Sequence, residues 1–403
     1  MKLLVIGHAF LLAYAQRKYV AMKQLDSGLR LRLVVPRSMQ DRFGRTTHEV
    51  HPALLPEEVV AMEARLTGWQ GHMTYIHNPL RLAAVFRDFQ PDVIHIDEEP
   101  QALLTVETIF LKGAFAPDSA VTQFTWDNIL RQRDFPIGAA KTKLRRYSLQ
   151  RTAAVVCGNK RAAELLRSEK YFRGAIETLP QFGLDPAEHS PGTESALRAE
   201  LGLDGGVVVG YVGRLVQEKG LHLLIEALGR LTAHPWKLLL VGAGPLETEI
   251  RETWTAKFPG RIVLVPAVPY EEVPRYLRCA DIFTLASYST PTWKEQFGLG
   301  LAQAMLLGIA SIGSTCGAIP DVLGPGGMLF EEGQSRDLTH ALEILLTSET
   351  RRQQLGSLGR EFALRNYTSE SVAAGYLGAF ERARRSSKAG RHLLNETATE
   401  RKA

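Results

Sequence analysis

The sequence of 403 residues has few cysteines and no long apolar run. Cys157, Cys279 and Cys316 lie far apart, without the Cys-x-x-Cys spacing of a zinc site or a redox motif, and give no disulfide framework. They suit a reducing compartment, and each is expected to be a small buried residue. No stretch approaches the roughly 18 consecutive apolar residues that a transmembrane helix requires. The predicted location is therefore the cytoplasm.

Strong charge of either sign is also missing. The formal net charge is +5 and the pI is about 9.0. This mild excess of positive charge is compatible with anionic substrates or an anionic membrane surface, and it gives no reason by itself to expect nucleic acid. Hydrophobic residues make up 45% and charged residues 23%, which is ordinary for a globular protein long enough to form two domains.

The N-terminus allows two interpretations. An apolar run to Leu12 followed by Ala13-Tyr14-Ala15 resembles a signal peptide with its cleavage site. However, Gly7-His8 interrupts the run, and Leu3–Ile6 followed by glycine is typical of the first strand of a doubly wound sheet. We favour the strand.

Short apolar strands alternate with amphipathic helices along the chain, which predicts an α/β protein. The segment 186–206 is rich in proline, glycine, serine and acids, as linkers are, and a second α/β pattern begins at Val207. Residues 37–56 are predicted to be irregular. In the first half, strands are predicted at 3–6, 31–35, 73–76, 91–96, 121–125 and 153–157. In the second half, they are predicted at 207–212, 238–241, 262–265, 282–286 and 309–312.

The most informative stretch runs from Thr284 to Asp321. Gly298 and Gly300 stand at the start of a predicted helix that ends at Gly308, so backbone N–H groups at the positive end of the helix dipole are exposed to an anion such as phosphate. Glu295 precedes this site and would repel a phosphate, but a carboxylate beside a phosphate suits sugar hydroxyls. Gln303 lies eight residues later and is predicted to face the same ligand. The alternative is a helix-start acid and a solvated amide.

The run E-Q-F-G-x-x-x-A-Q-A-M-x-x-G, from Glu295 to Gly308, resembles the signature of retaining nucleotide-sugar glycosyltransferases of family 4, which have the GT-B fold. The family pattern has a second Glu where this chain has Gln303. The resemblance implies that Glu295 contacts the donor sugar and that Gln303 binds the ribose, less tightly than a Glu would.

A second loop, Gly213 to Gly220, matches the family pattern G-R-L-x-x-x-K-G. The resemblance implies that Arg214 and Lys219 bind the diphosphate of the donor; the alternative is a pair of exposed cations. Gly242-Ala243-Gly244 after the next strand is a partial dinucleotide fingerprint whose third glycine is missing. An NAD- or FAD-dependent enzyme is therefore ranked below the glycosyltransferase.

The resemblance further implies two Rossmann-like domains that face each other across a cleft. The predicted domains are residues 1–183 on the acceptor side, with a C-terminal helix 369–386 packing back on it, and residues 184–368 for the nucleotide-sugar, with a polar tail over 387–403. UDP or GDP is the expected nucleotide, and no metal or other cofactor is expected. The predicted donor-binding residues, besides those already named, are Gly7, Gly213, Val268, Gln296, Phe297, Gly298 and Leu299.

Acidic residues follow a buried strand in the first half, at Asp97-Glu98-Glu99. They could bind a metal, or form a solvated turn, or contact the acceptor, since the carboxyl ends of parallel strands line the ligand crevice. We favour acceptor contact for Glu98 or Glu99, and place His8 and Asn128 on the same side. The densest basic run, Lys141 to Arg151, is interpreted as a solvated helix face or as a contact with anionic lipid.

The predicted function is transfer of a sugar, with retention of configuration, from a UDP- or GDP-sugar to a saccharide, lipid-linked or small-molecule acceptor. Arg214, Lys219 and Glu295 are the predicted catalytic residues, and nucleic acid is not an expected partner. Two alternatives remain open: a non-catalytic nucleotide-sugar binding protein, which the substitution of Gln303 favours, and an epimerase or phosphorylase of the same fold.

Overall fold

The computed structural model describes residues 1–41, 44–67, 73–129 and 136–400, and it divides into two compact units. Unit 1 comprises Met1–Gly183 with Ser369–Ala403, and unit 2 comprises Leu184–Thr368. The division falls at the residues where the sequence placed its domain boundary. The predicted strand Met73–Ile76 is wrong, because only Ile76 pairs there, in an isolated bridge to Arg65.

The strands of unit 1 form one parallel sheet and one hairpin in the described part of the chain. The sheet has the order β5-β2-β1-β6-β7-β8-β9, and β3 pairs antiparallel with β4. The strands are β1 (Lys2–Ile6), β2 (Arg30–Pro36), β3 (Ser38–Asp41), β4 (Gly44–Thr47), β5 (Val59–Met62), β6 (Val93–Ile96), β7 (Ala120–Thr125), β8 (Ala154–Cys157) and β9 (Ala175–Thr178). The prediction of irregular structure over 37–56 missed the β3–β4 hairpin, because polar strands of four residues carry no periodic apolar signal.

Helices cover both faces of this sheet. They are α1 (Arg17–Leu25), α2 (Pro79–Phe89), α3 (Leu103–Phe115), α4 (Pro136–Leu149), α5 (Lys160–Arg167) and, from the end of the chain, α15 (Ser369–Glu400). Alternate side chains of β1 enter different cores: Leu3 and Val5 pack with residues of α1 and α15, whereas Leu4 and Ile6 pack with residues of α2 and α3. Because β1 pairs with both β2 and β6, the N-terminal apolar run forms a central strand.

Unit 2 contains a second parallel sheet, of order β12-β11-β10-β13-β14-β15. Its strands are β10 (Val207–Val212), β11 (Trp236–Val241), β12 (Ile262–Val265), β13 (Ile282–Leu285), β14 (Ala310–Ser314) and β15 (Met328–Phe330). Its helices are α6 (Ser195–Glu200), α7 (Leu221–Arg230), α8 (Glu247–Glu249), α9 (Thr255–Lys257), α10 (Val273–Leu277), α11 (Leu299–Leu306), α12 (Ile319–Leu323), α13 (Ser335–Thr347) and α14 (Glu349–Asn366). Parallel strands buried on both faces explain the continuous apolar runs of the sequence.

Two predicted stretches differ from the structure at the ends of unit 2 and of the chain. The linker interpretation of 186–206 missed α6, a helix of six residues whose one buried residue is Leu197. The predicted polar tail from residue 387 instead continues α15 to Glu400, because alanine, leucine, lysine and arginine favour a helix and no proline interrupts it. No helix among the described residues is both long enough and apolar enough to cross a membrane.

Candidate functional site

The loop after β10 is held in place by the hydrogen bonds of its ends. The Gly213 N–H donates to the Val241 carbonyl at 3.0 Å, and the Tyr211 hydroxyl donates to the Arg214 carbonyl at 2.7 Å. A 3₁₀ turn over Gln217–Lys219 completes the loop at the start of α7. Both predicted cations, Arg214 and Lys219, therefore stand on one short loop at the carboxyl end of a parallel strand, where open α/β sheets bind ligands.

Lys219 and Glu295 form a close ion pair. The Lys219 Nζ lies 2.6 Å from Glu295 Oε2, and the two side chains are 13% and 8% exposed. The Ser287 hydroxyl donates to the same carboxylate oxygen at 2.9 Å, and the ammonium lies 5.1 Å from the centre of the Trp293 ring. The ammonium carries three N–H groups, so the contact with Glu295 leaves it able to donate to a further oxygen.

Arg214 is about one third exposed, with its Nη2 atom 3.8 Å from Glu218 Oε1. A partly exposed pair at this distance holds the guanidinium only weakly. Arg214 is thus free to reorient toward an anion, in contrast to the fixed ammonium of Lys219.

The start of α11 presents unpaired backbone donors. Gly298, with φ +86°, is the N-cap residue, a conformation that favours glycine. Its carbonyl accepts from Leu301 N–H at 2.9 Å and Ala302 N–H at 3.3 Å, whereas the N–H groups of Leu299 and Gly300 donate to nothing in the described residues. These two donors, at the positive end of the helix dipole, are suited to an anion.

Glu295 lies in the loop before α11 and not on the helix itself. Its carbonyl accepts from the Ala318 N–H at 3.0 Å, and an added Cβ on Gly317 would stand 2.2 Å from that carbonyl oxygen. Glu295 and Gln303 therefore do not share one helix, since α11 begins only after Gly298. The loop nevertheless brings the Glu295 Cγ within 3.9 Å of a Cβ built on Gly298.

Gln303 is buried, with 3% of its surface exposed, and its Nε2 atom has no hydrogen-bond partner among the described residues. A buried amide donor without an acceptor costs roughly 1–3 kcal/mol. An unsatisfied donor inside the site-bearing helix is consistent with a role in binding a polar ligand.

The remaining predicted donor-binding residues of unit 2 are distributed around α11 and β12. Gln296 is exposed, and the Phe297 ring packs edge-on against Tyr367, with ring centres 5.5 Å apart. Val268 is half-buried and packs against the cores on both faces of the sheet. The Phe297 and Val268 side chains thus pack against the core of unit 2.

Gly242 and Gly244 have a structural explanation. A Cβ on Gly242 would stand 1.9 Å from the Gly213 carbonyl oxygen, and one on Gly244 would stand 2.4 Å from that of Leu215. The glycines let the loop after β11 lie directly against the loop that carries Arg214 and Lys219. This contact accounts for the pair without a dinucleotide.

In unit 1, His8, Glu98 and Tyr75 meet at the carboxyl ends of β1 and β6. Glu98 Oε1 accepts from the His8 N–H at 2.9 Å and the Tyr75 hydroxyl at 2.7 Å, and it lies 2.6 Å from His8 Nδ1. Glu98 Oε2 is buried without a partner in the described residues. One third of the His8 side chain is exposed, so this pair reaches the surface through the imidazole.

The pKa of His8 reflects opposing effects. Burial lowers the pKa. The negative charges of Glu98 and Asp97 and the hydrogen bond to Glu98 together raise it by more, so the pKa lies above its ordinary value. The imidazole can therefore hold a proton, shared with Glu98, at a position open to a ligand.

Glu99 has different partners. Its carboxylate accepts from the Thr125 hydroxyl at 2.6 Å and from the Trp126 N–H at 2.8 Å, both at the end of β7. Burial and the nearby charge of Asp127 raise its pKa to about 7, against the effect of these hydrogen bonds. Glu99 can therefore gain or lose a proton near neutral pH.

Asp97 is committed to the interior. It lies 3.3 Å from Lys18 Nζ and accepts from the Tyr19 hydroxyl at 3.3 Å and from Gln181 Nε2 at 2.8 Å. Burial raises its pKa, but the charges of Lys18 and His95 and the hydrogen bonds from Gln181 and Lys18 together outweigh burial and hold the pKa below its ordinary value. The three consecutive carboxylates thus turn to separate partners, which does not fit the interpretation as one metal-binding triplet.

Gly7 and Asn128 occupy the same edge of the sheet. The Gly7 N–H donates to the Val34 carbonyl at 3.2 Å, and a Cβ on Gly7 would stand 2.7 Å from the Asp97 carbonyl oxygen. Asn128 is buried after β7. The first loop packs so closely against the end of β6 that position 7 requires a glycine, and this packing positions His8.

The basic run Lys141–Arg151 is not a single surface. Arg145 is buried, 2.6 Å from Glu169 Oε1 and 3.1 Å from Gln101 Oε1, so it cannot contact a membrane. The sequence analysis grouped Arg145 with the exposed cations, because the sequence of a helix of mixed composition does not show which cation faces inward.

Sequence reasoning missed several residues of both clusters. Lys18 and Tyr75 lie far from the motifs along the chain, and Ser287 and Trp293 stand in a loop with several other hydroxyl residues. The only available signal was proximity to Glu295, which could have singled out Ser287 and Trp293. Nothing in the local pattern distinguishes Lys18 from other lysines of amphipathic helices.

Comparison with known proteins gives a family for part of the chain. Residues 194–362 match the family described as glycosyl transferases group 1. A 2-deoxystreptamine glucosyltransferase of Streptomyces kanamyceticus is 26% identical over 60% of this chain and 63% of its own. A GDP-mannose-dependent monoacylated alpha-(1-6)-phosphatidylinositol monomannoside mannosyltransferase of Corynebacterium glutamicum is 32% identical over 47% of this chain and 53% of its own. The chain thus spans between half and two thirds of these relatives.

A solved structure extends the likeness to nearly the whole chain. HepE of Anabaena, crystallised with UDP, has a TM-score of 0.70 at 17% identity, over 94% of this chain and 100% of its own. At this identity the likeness shows the fold, which is GT-B, with two α/β units built on parallel sheets.

Proposed function

We propose that this chain, whose residues 194–362 belong to the glycosyl transferases group 1 family, transfers a sugar from a UDP- or GDP-sugar to an acceptor hydroxyl. The Lys219–Glu295 ion pair beside the start of α11 carries the proposal. It combines, in one unit, a fixed cation and free N–H donors for a diphosphate with a carboxylate for sugar hydroxyls.

The mechanism follows from where charge develops. Breaking the bond between the sugar and the diphosphate places negative charge on the leaving phosphate. Lys219, which Glu295 fixes, and the N–H groups of Leu299 and Gly300 are proposed to receive that charge, and Arg214 is proposed to turn toward it. Preorganised donors typically contribute about 3–4 kcal/mol each. Glu295 holds the ammonium and positions the sugar. Retention of anomeric configuration is part of the proposal and rests on the family resemblance.

One relative and one structural neighbour support UDP or GDP as the donor nucleotide. The mannosyltransferase relative is named for GDP-mannose, and the structural neighbour was crystallised with UDP. The acceptor is proposed to meet unit 1 at His8, Glu98 and Glu99. Location at the inner face of a membrane is also a proposal, suggested by the relative named for a phosphatidylinositol mannoside.

Lys219→Ala provides the test. The purified chain is incubated with UDP- and GDP-sugars and a panel of acceptor alcohols, and release of nucleoside diphosphate is measured. Loss of the Lys219 cation is expected to lower the rate by about a hundred- to a thousandfold. Lys257→Ala, which removes an exposed lysine of the same unit, is the matched control and should keep the wild-type rate.

A Lys219→Ala rate of half the wild-type value would contradict the assignment. The anomeric configuration of the product, followed by NMR during the reaction, tests retention separately. Donor binding without release of diphosphate for any acceptor would favour the second candidate, a nucleotide-sugar binding protein, which the Gln303 substitution supports.

A further inference from the structure

A concave pocket of about 940 Å³ lies on unit 1, away from both clusters described above. Four exposed cations line it: Arg146, Arg151, Lys170 and Arg173. We call it the basic pocket. Its other polar lining includes the hydroxyl groups of Ser386 and Ser387 on α15.

The basic pocket is built where two connections meet at one edge of the sheet. The end of α4 leads into β8, and the connection from α5 leads into β9. A Cβ on Gly174 would stand 2.6 Å from the Ala153 carbonyl oxygen, so the two connections approach as closely as glycine allows. The pocket therefore lies at the amino ends of β8 and β9, opposite the edge that carries Glu99.

Two of the cations are supported by aromatic rings. The Arg146 guanidinium is 5.9 Å from the centre of the Tyr171 ring, and that of Arg151 is 4.1 Å from the centre of the Tyr147 ring. Contacts of this kind orient a guanidinium. Arg151 Nη1 also donates to the Tyr147 carbonyl at 3.1 Å, and the remaining N–H groups of both guanidinium groups can donate to an anion.

No acid in the described part of the chain neutralises the basic pocket. Within that part, none of its four cations forms an ion pair, and the neighbouring Glu169 is held by Arg145 at 2.6 Å. Four like charges around one concavity repel each other and raise the local concentration of anions. A bound anion with several charges would relieve this repulsion.

We propose that the basic pocket binds a small soluble anion that carries two or more phosphate groups. Arginine forks match phosphate oxygens in pairs, and a lysine adds a point charge. The pocket is concave, and none of the exposed large apolar side chains of the described residues lines it, which favours a soluble ligand over a bilayer. This proposal does not depend on the proposed function.

The test uses the full chain with the donor site disabled by Arg214→Ala and Lys219→Ala, so that polyphosphate cannot bind there. Tripolyphosphate binding is measured by isothermal titration calorimetry. Lys170→Glu with Arg173→Glu, added to this background, should weaken binding by at least about tenfold because two attractive charges become repulsive. Lys143→Glu, which changes an exposed lysine of α4 outside the pocket, is the matched control and should leave the affinity within about twofold.

Several results would overturn the proposal. The first is that the chain with Arg214→Ala and Lys219→Ala does not bind tripolyphosphate. The others are that Lys143→Glu weakens binding as much as Lys170→Glu with Arg173→Glu does, or that this double variant keeps the full affinity. The gentler pair Lys170→Gln with Arg173→Gln replaces the double glutamate variant if that variant does not fold.

A second experiment uses vesicles of equimolar phosphatidylglycerol and phosphatidylcholine. Pocket-dependent sedimentation with vesicles, without pocket-dependent tripolyphosphate binding, would assign the surface to a bilayer instead.

Discussion

Glu98 and Glu99 are consecutive in sequence, but their carboxylates have different hydrogen-bond partners. Glu98 shares one oxygen with His8 and Tyr75, whereas Glu99 accepts from Thr125 and Trp126. Both residues lie in the bend after β6, where the Glu98 carboxylate meets the segments of His8 and Tyr75 and the Glu99 carboxylate meets the end of β7. Either residue was a candidate for acceptor contact, and only their partners separate them.

The pKa of Glu99, about 7 in the folded protein against an ordinary value of 4.5, predicts a pH dependence of stability. The folded state retains the proton to a higher pH than the unfolded chain does. The contribution of Glu99 to stability is therefore greatest below pH 4.5 and falls as the pH rises toward 7.

Glu99→Gln removes this titration. Between pH 5 and pH 8 the wild type should lose on the order of 2–3 kcal/mol of unfolding free energy relative to the variant. Urea denaturation at both pH values measures the difference. Glu164→Gln, at an exposed position of α5, is the control. A wild-type stability that rises relative to Glu99→Gln would show that the carboxyl is ionised throughout.

At the scale of elements, the loop after β10 and the loop after β11 pack directly against each other. The first carries Arg214 and Lys219, and the second supports it through the close approach of Gly242 to Gly213. The sequence presented these as two competing glycine motifs. In the folded chain one provides the cations and the other makes room for them.

Gly242→Ala tests this arrangement. An added Cβ would stand 1.9 Å from the Gly213 carbonyl oxygen, so the loop carrying the cations must move. Affinity for a nucleoside diphosphate is expected to fall by about tenfold or more, since a shift near 1 Å can cost about a hundredfold in function. Calorimetric titration with UDP and GDP measures it.

Gly113→Ala is the control for that substitution. It places a methyl group on the exposed face of α3, where no atom lies within 4 Å. It should raise stability by about 0.5–1 kcal/mol without changing nucleotide affinity. Wild-type affinity in Gly242→Ala would mean that the two loops are not coupled.

At the scale of the whole molecule, the chain leaves unit 1 at Gly183 and returns to it at Ser369. Unit 2 is continuous in sequence and has its own core. Unit 1 is not, because Val372, Tyr376 and Phe380 of α15 complete the core that contains β1 and α1.

This asymmetry predicts different outcomes for the two pieces. Residues 184–368 expressed alone should fold cooperatively, whereas residues 1–183 alone should not, because the apolar surface under α15 becomes exposed. Circular dichroism during thermal unfolding distinguishes the two. Adding residues 369–400 as a separate peptide should restore the transition of 1–183. A cooperative transition of 1–183 without the peptide would contradict the prediction.

The sequence by itself determined the α/β class, the place where the chain passes from one unit to the next, and which loops of unit 2 carry the cations and the acid of the proposed site. These are local properties: strand and helix periodicity, glycine positions, and cations or acids at the ends of apolar runs. Fixed spacing within a loop preserves them, which is why the sequence could place Arg214 and Lys219 on one loop after β10.

Only the tertiary structure decided which charges meet. The pairing of Lys219 with Glu295, of Lys18 with Asp97 and of Arg145 with Glu169 joins residues far apart along the chain. It also decided that two stretches of basic residues enclose one pocket. Such contacts depend on how sheets and helices pack, and no local pattern encodes the direction in which a buried charged side chain points.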